Sequence, residues 1–151
     1  MENAGPANKS CMLEIVGYFS PIRAELEGGS VALRELAGIL TSSLDELRCS
    51  LVTPSGISPA PYAGFLDAVQ ILGNGNKIVI HRQEQVLAIE GSIDNLALLA
   101  QNIAFLADNF DPSEAERDHA HIEYYPDHYY LDESSLSLIV TVLSLPPWHR
   151  P

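Results

Sequence analysis

Basic residues are scarce in this sequence. Lys and Arg number 8 against 20 Asp and Glu, which gives a formal net charge of −12 over 151 residues. Such a chain repels phosphate groups, so we expect no binding to nucleic acid or to an anionic membrane. A partner protein with a basic surface is the natural complement of this charge.

Long apolar runs are also missing. No stretch approaches the roughly 20 uninterrupted apolar residues of a spanning helix, and the N-terminus MENAGPANKS has no apolar segment of the signal-peptide type. We therefore expect a soluble, cytoplasmic chain. Its length predicts one domain over residues 11–145, with 1–10 and 146–151 as disordered tails.

Cysteine is limited to Cys11 and Cys49. They are far apart in sequence, neither belongs to a CxxC pair, and two thiols cannot complete a four-ligand zinc site. We expect both to be reduced and mostly buried.

Signatures of catalysis are absent from the sequence. No GxSxG motif surrounds Ser134 or Ser135, and no glycine-rich phosphate loop occurs. The adjacent acids Asp132 and Glu133 point apart in an extended segment, so a charged turn explains them better than acid–base chemistry does. We expect neither an enzyme nor a cofactor.

The chain contains an internal repeat. VGYFSPIRAELEGGSVALRELAGIL is followed by ELRCSLVT, and NKIVIHRQEQVLAIEGSIDNLALLAQNIAFLAD is followed by HAHIEYY. Each segment predicts two strands, a helix capped by a serine (Ser30 or Ser92), and another strand. The prediction is an α+β fold in which two ββαβ-like units, about 12–53 and 67–143, share a mostly antiparallel sheet with both helices on one face. If the likeness is coincidental, only the pseudo-symmetry is lost.

The apolar segment LSLIVTVL at 136–143 is typical of a buried strand. We expect it to be central and covered. If it lay at a sheet edge, it would instead favour an oligomeric structural or regulatory domain that pairs edge to edge.

The stretch DHAHIEYYPDHYYLDESSLSLIV, residues 118–140, carries the chemistry. If AHIEYY is a strand, His119, His121 and Glu123 share one face, because successive side chains alternate. Two imidazoles and a carboxylate suit zinc or iron, and His81 on another strand would complete such a site. An exposed polar strand has the same pattern, so a metal-binding enzyme or sensor stays the alternative and a binding surface the main hypothesis.

YYPDHYY places four tyrosines around a Pro-Asp turn. Tyrosine suits protein interfaces because it combines a broad ring with a polar tip, and surrounding acids steer a basic partner. We expect Tyr124 and Tyr130 to belong to the core and the others to be exposed. The predicted partner-binding residues are His119, His121, Glu123, Tyr125, Asp127, His128, Tyr129, Asp132 and Glu133.

The combination of LAIEGSIDNLALLAQNIAFLAD with this stretch resembles immunity protein family 32 of bacterial polymorphic toxin systems. The positions that carry the resemblance are Gly91, Ser92, His119, His121, Glu123, Leu131, Ser134 or Ser135, and Leu138. They lie in the second half of the chain, and the first half does not align to the family pattern.

The resemblance implies a small α+β protein that is made beside a toxin in the cytoplasm of the producing cell. It would bind that cognate toxin and block it. Many such toxins are nucleases with a basic cleft, which an acidic, aromatic surface can occlude.

Overall fold

The computed structural model describes residues 11–42 and 46–145, so both predicted tails lie outside the described residues. The chain folds into nine strands and two helices within those ranges. In order they are β1 (Ile15–Phe19), β2 (Arg23–Gly28), α1 (Ser30–Leu40), β3 (Glu46–Ser50), β4 (Gly64–Leu66), β5 (Ala68–Gly73), β6 (Val79–Gln83), β7 (Val86–Gly91), α2 (Ile93–Asn109), β8 (Arg117–Ile122) and β9 (Ser137–Leu143).

The strands form two sheets, of order β4-β1-β2-β9-β8 and β3-β5-β7-β6. The predicted α+β class, its two helices and its mostly antiparallel pairing are confirmed, whereas the single shared sheet is wrong. The reason lies in the connections after the helices. The chain leaves the β1-β2 hairpin, passes through α1 and enters the other sheet as β3, and α2 likewise carries it from the β6-β7 hairpin to β8.

Each sheet therefore combines a hairpin from one half of the chain with two strands from the other half. β2 pairs in parallel with β9, and β7 pairs in parallel with β5. β8 pairs with β9 and β3 pairs with β5 in antiparallel fashion, and the additional edge strand β4 is antiparallel to β1. The predicted repeat is present in the topology, with its two halves intertwined.

Side-chain pairs repeat as well. The Tyr18 hydroxyl donates to Glu27 at 3.1 Å across β1 and β2, and His81 Nε2 lies 3.3 Å from the Glu90 carboxylate across β6 and β7. In both sheets the glutamate directly precedes the glycine that ends the second strand. The first pair is largely buried and the second is partly exposed, so equivalent pairs lie in different surroundings in the two sheets.

The helix starts differ from the prediction at one serine. Ser92 caps α2 as expected, because its hydroxyl accepts a hydrogen bond from the Asn95 amide. Ser30 is instead the first residue of α1, and Gly29 holds the cap position without a side-chain bond. The extra glycine after Glu27-Gly28 shifts the serine one position into the helix.

Apolar side chains from both sheets and both helices form one core cluster. The helices contact each other, and α2 also contacts β7, β8 and β9. β9 lies between β2 and β8, so the prediction that 136–143 forms a central, covered strand is confirmed. Because no helix in the described ranges is both long and apolar enough, none is a candidate membrane span.

The two cysteines form a disulfide, Cys11–Cys49, so the prediction of reduced thiols is wrong. The segment before β1 runs along the outer side of β3, where Met12 forms a parallel bridge with Ser50. This neighbouring register brings together two residues that are 38 apart in sequence. Their spacing alone contained no sign of that contact.

Candidate functional site

The candidate site begins with β8, the last strand of its sheet. The Ser144 amide donates to the Glu116 carbonyl, which sets the alternation along β8: even-numbered residues bond to β9 and odd-numbered residues turn their backbone outward. The His119 amide fits this phase, since it donates to the Asp118 side chain rather than to β9. No described strand lies beyond β8, within 11–42 and 46–145.

Two adjoining depressions, of about 380 and 310 Å³, follow this strand and the turn after it; we call them together the edge groove. One wall is β8 and the other is α2. The first depression is lined by Asn102, Phe105, Leu106, Asn109, Asp118, His119, Ala120, His121 and Ile122, and the second by Asn102, His121, Ile122, Glu123, Tyr125, His128, Tyr129 and Tyr130.

The predicted alternation along β8 is correct. Ile122 is buried while His119 and His121 are exposed, with their rings edge to face at 4.9 Å. Glu123 lies just past the strand, and its carboxylate is 3.5 Å from His121 Nδ1. These three predicted residues are therefore neighbours.

The metal alternative is not supported by this arrangement. His81 lies on β6 in the other sheet, beside Glu90. Among the described residues, no group of three or more His, Cys, Asp or Glu side chains is arranged to hold a metal ion. His119 and His121 belong to an exposed strand, and Glu123 directly follows it.

A tight turn follows the strand, as the Pro-Asp dipeptide predicted. The His128 amide donates to the Tyr125 carbonyl at 3.0 Å, with Pro126 and Asp127 between them. Asp127 has φ of 69°, the left-handed conformation that Asp adopts more readily than most residues. The turn folds the aromatic side chains of the segment onto one another.

His128 is buried, at 5% exposure, so its predicted role as a surface residue is not supported. Its Nδ1 accepts hydrogen bonds from the backbone amides of Tyr130 and Leu131. Burial, and next the charge of Lys77, lower the pKa of this imidazole. The ring therefore stays neutral and organises the turn, with Tyr125 and Tyr129 packed against it at 4.5 and 5.4 Å.

Of the four tyrosines in this segment, one is buried and three are exposed, and the sequence predicted this division only in part. Tyr130 is buried and donates to Asn102 on α2, as expected of a core residue. Tyr125 and Tyr129 are 54% and 56% exposed, as expected of interface residues. Tyr124 was predicted to be in the core but is 38% exposed, because β8 ends at Ile122 and releases the chain from the sheet.

Asp132 and Glu133 do not reach the edge groove. The Asp132 amide donates to the Ile78 carbonyl, and Leu131 forms a parallel bridge with Ile78, so this segment lies beside the start of β6 in the other sheet. The Asp132 carboxylate accepts bonds from the hydroxyl and amide of Ser134, which lower its pKa. It closes a turn, while Glu133 is exposed beside it.

Sequence reasoning missed the wall of the groove that α2 forms, together with Asp118 on β8. Phe105 is 70% exposed on the groove side of α2, and Asn102 holds the Tyr130 hydroxyl one turn earlier. The sequence contained a signal for Phe105, because this residue lies outside the buried stripe of Leu99, Ile103 and Leu106. An apolar ring off the buried face of an amphipathic helix indicates a contact surface.

The groove is acidic. Its described lining includes the carboxylates of Asp118 and Glu123 and no Lys or Arg. Two nearby cations are engaged elsewhere: Arg117 lies 3.7 Å from the Glu27 carboxylate, and Lys77 donates to the His128 carbonyl. Exposed aromatic rings, outward-facing backbone groups and negative charge together suit a protein partner.

Comparison with known protein families gives a match to part of the chain. Residues 86–143 match the family model of Immunity protein 32, which confirms the resemblance seen in the second half of the sequence. No curated protein and no solved structure matches the chain.

Proposed function

We propose that this chain is a non-enzymatic immunity protein that neutralises a cognate bacterial toxin by binding it at the edge groove. The observation that carries the proposal is the match to Immunity protein 32 over residues 86–143. That segment spans β7, α2, β8 and β9, so it contains both walls of the groove.

The proposed contact residues follow from the geometry. His119, His121, Glu123, Tyr125 and Tyr129 line the groove at its surface, and Asp127 stands at the tip of the adjoining turn. Phe105 and Asp118 extend this set along α2 and β8. His128 supports the surface from beneath, whereas Asp132 and Glu133 are left out of it.

The charge of the groove supports a basic surface on the toxin. A nuclease is one such toxin, because its cleft binds phosphates and attracts carboxylates in the same place. Binding there would exclude the nucleic acid without any chemistry in the immunity protein. Exposed rings provide the contact area, and the acids accelerate the encounter.

The test is a pull-down of the tagged chain from lysate of its source organism, with a high-salt wash and mass spectrometry. We expect recovery of one protein with a basic toxin domain, whose expression is lethal alone and tolerated when this chain is present. A matched pair of variants places the site: Phe105→Asp should lose the toxin, and Ile93→Asp, which changes an exposed apolar residue of α2 outside the groove, should retain it. Failure to capture or protect against any toxin would contradict the proposal.

We further propose that the protein acts in the cytoplasm of the producing cell, where the toxin that it neutralises would be made. Fractionation of those cells should recover the chain with the cytoplasmic proteins, and its recovery outside that fraction would contradict the proposal.

A further inference from the structure

We propose that the outer edge of β8 binds an extended, basic segment of its partner as an added strand. The identity of that partner as a toxin rests on the function proposed above, whereas the mode of binding rests on the geometry of the edge. Strand addition to an exposed sheet edge is a general form of peptide recognition, in which backbone bonds give affinity and alternate side chains give specificity.

The backbone of β8 is prepared for such a strand. The odd residues Arg117, His119 and His121 turn their amides and carbonyls away from β9, as the Ser144–Glu116 bond requires. Among the described residues, the outward amide of His119 donates to the exposed carboxylate of its neighbour Asp118, at 2.8 Å. An incoming carbonyl can replace that carboxylate without disturbing the β8-β9 ladder.

The other half of the molecule shows what fills an equivalent edge. β3 follows α1 as β8 follows α2, and each is the outermost antiparallel strand of its sheet. On β3 the outer edge bonds to an extended segment of the chain itself: the Ser50 amide donates to the Cys11 carbonyl, and the Leu13 amide donates to the Ser50 carbonyl. The fold therefore accepts a strand at this position.

Within residues 11–42 and 46–145, no comparable segment lies along the outer edge of β8. Residues 11–13 precede β1, and the corresponding residues before β6 are the short turn Asn74–Asn76, whose backbone bonds to Gly91 and Ser92 instead. In the described ranges, the edge of β8 thus lacks the occupant that the edge of β3 has. The proposal assigns this place to an extended segment of the partner.

The groove beside the edge has room for alternate side chains. Phe105 and Leu106 of α2 form its apolar wall, and Tyr125 and Tyr129 lie where the strand ends. The acids Asp118 and Glu123 flank the edge at its two ends. A segment that alternates apolar and basic residues matches this wall and this charge. A second copy of this chain matches poorly, because it carries the same −12 charge.

A peptide probe tests the mode without the toxin. The probe has about nine alternating Lys and Val residues with blocked ends, the length of a strand that spans the groove. We expect saturable shifts of the His119 and His121 amide resonances, weakened by salt, and no binding of the matching Glu–Val peptide. No shift on β8, or equal binding of the two peptides, would overturn the proposal.

Two variants at His121 distinguish binding through the backbone amide from binding through the imidazole. His121→Pro removes an outward amide that makes no bond to β9, so the fold should survive, and affinity for the Lys–Val peptide should fall about tenfold or more. His121→Ala removes the imidazole, which is one proposed contact, and should lose clearly less affinity than His121→Pro because the outward amide remains. Equal losses in both variants would mean that the side chain is the contact and would overturn strand addition. If His121→Pro does not fold, the amide shifts in the wild-type chain decide alone.

The captured toxin distinguishes this inference from the proposed function. Toxin that binds wild type and His121→Pro equally leaves the immunity role standing and overturns the strand edge. Toxin lost only in His121→Pro supports both. Concentration-dependent dimerisation that His121→Pro abolishes would assign the edge to a second copy and overturn the proposal.

Discussion

The outer edges of β3 and β8 occupy equivalent places in two intertwined halves. The edge of β3 is covered by another segment of the chain, whereas among the described residues no strand covers the edge of β8. β3 carries an extended segment of its own chain, attached by backbone bonds and by the Cys11–Cys49 disulfide. β8 faces a groove lined with exposed aromatic rings and carboxylates. The difference teaches that one architecture can have an edge covered by its own chain in one half and, among the described residues, an equivalent edge left open in the other.

Breaking the disulfide should have the largest effect, and it should act on stability alone. The Cys11–Cys49 bond closes a loop over 38 residues of sequence, for which chain-entropy models give about 4 kcal/mol. Reductant should lower the free energy of unfolding by that order, measured in urea, and leave toxin affinity unchanged. The double variant Cys11→Ser, Cys49→Ala is the control, because its stability should not respond to reductant. A loss of toxin binding on reduction would contradict the separation of the two edges.

Removing the aromatic contacts should weaken binding and spare folding. Tyr129→Ala or Phe105→Ala should each cost about 2 kcal/mol of toxin affinity if these exposed rings are central to the interface. Isothermal titration with the captured toxin measures the loss, and Ile93→Ala on α2 is the matched control. Asp132 is a poor partner for such a test, since its carboxylate closes a turn with Ser134. Unchanged affinity in both aromatic variants would remove the groove from the interface.

His128 should matter for the turn rather than for direct contact. His128→Ala leaves two backbone amides without their acceptor and should cost about 1–3 kcal/mol of stability. His128→Asn retains a short acceptor and should recover part of the loss. An alanine variant as stable as wild type would contradict the supporting role.

The same imidazole should make stability depend on pH. Its pKa is lowered in the fold, so the unfolded chain takes up the proton first as pH falls below about 6.5. Stability is therefore complete above that pH and declines below it, as the pH approaches the lowered pKa. His128→Asn should lack this component in urea titrations from pH 7.5 to 5. Parallel curves for the two proteins would be evidence against it.

The buried glutamate in the first half should respond in the opposite direction. Burial and the neighbouring Glu25 carboxylate raise the pKa of Glu27, although Tyr18 and Arg117 act against the shift. Because the raised pKa lies above that of the unfolded chain, the protonated side chain favours the fold at low pH, and this contribution is lost as pH rises through the folded pKa. As the pH rises through the folded pKa, the free energy of unfolding of Glu27→Gln should therefore increase relative to that of wild type. Its equivalent, Glu90→Gln, is the control on the exposed pair.

The smallest effect is expected at the tip of the turn. Asp127→Gly and Asp127→Asn should change stability by less than about 0.5 kcal/mol, because both replacements accept φ of 69°. Both should slow association with the toxin at low salt, since each removes one negative charge beside the groove. Asp127→Val should destabilise the chain by about 1–2 kcal/mol. Identical association rates in 20 and 200 mM salt would argue against electrostatic steering.

Local patterns predicted most of the elements. The repeat of Glu-Gly before a helix, the alternation along β8, the covered strand at 136–143 and the Pro-Asp turn were readable because each depends on residues close in sequence. The partition into two sheets was not, since it depends on where the chain crosses after each helix. The Cys11–Cys49 contact was missed for the same reason.

The sequence predicted which types of residue form the candidate site, but it predicted only part of their arrangement in space. His119, His121, Glu123, Tyr125 and Tyr129 line the groove, as a polar strand followed by an aromatic turn suggested. His128 could not be placed, because a histidine two residues after a proline can face either side of its turn. Phe105 was missed because it belongs to a helix that is adjacent in space and distant in sequence from the turn.

Hydrogen exchange of the complex with the captured toxin tests the central claim most directly. The account predicts new protection of the outward amides of His119 and His121 and of the Tyr125–Tyr130 turn, with unchanged exchange along β3. Protection confined to the first half of the chain, with β8 and the turn exchanging as in the free protein, would contradict it.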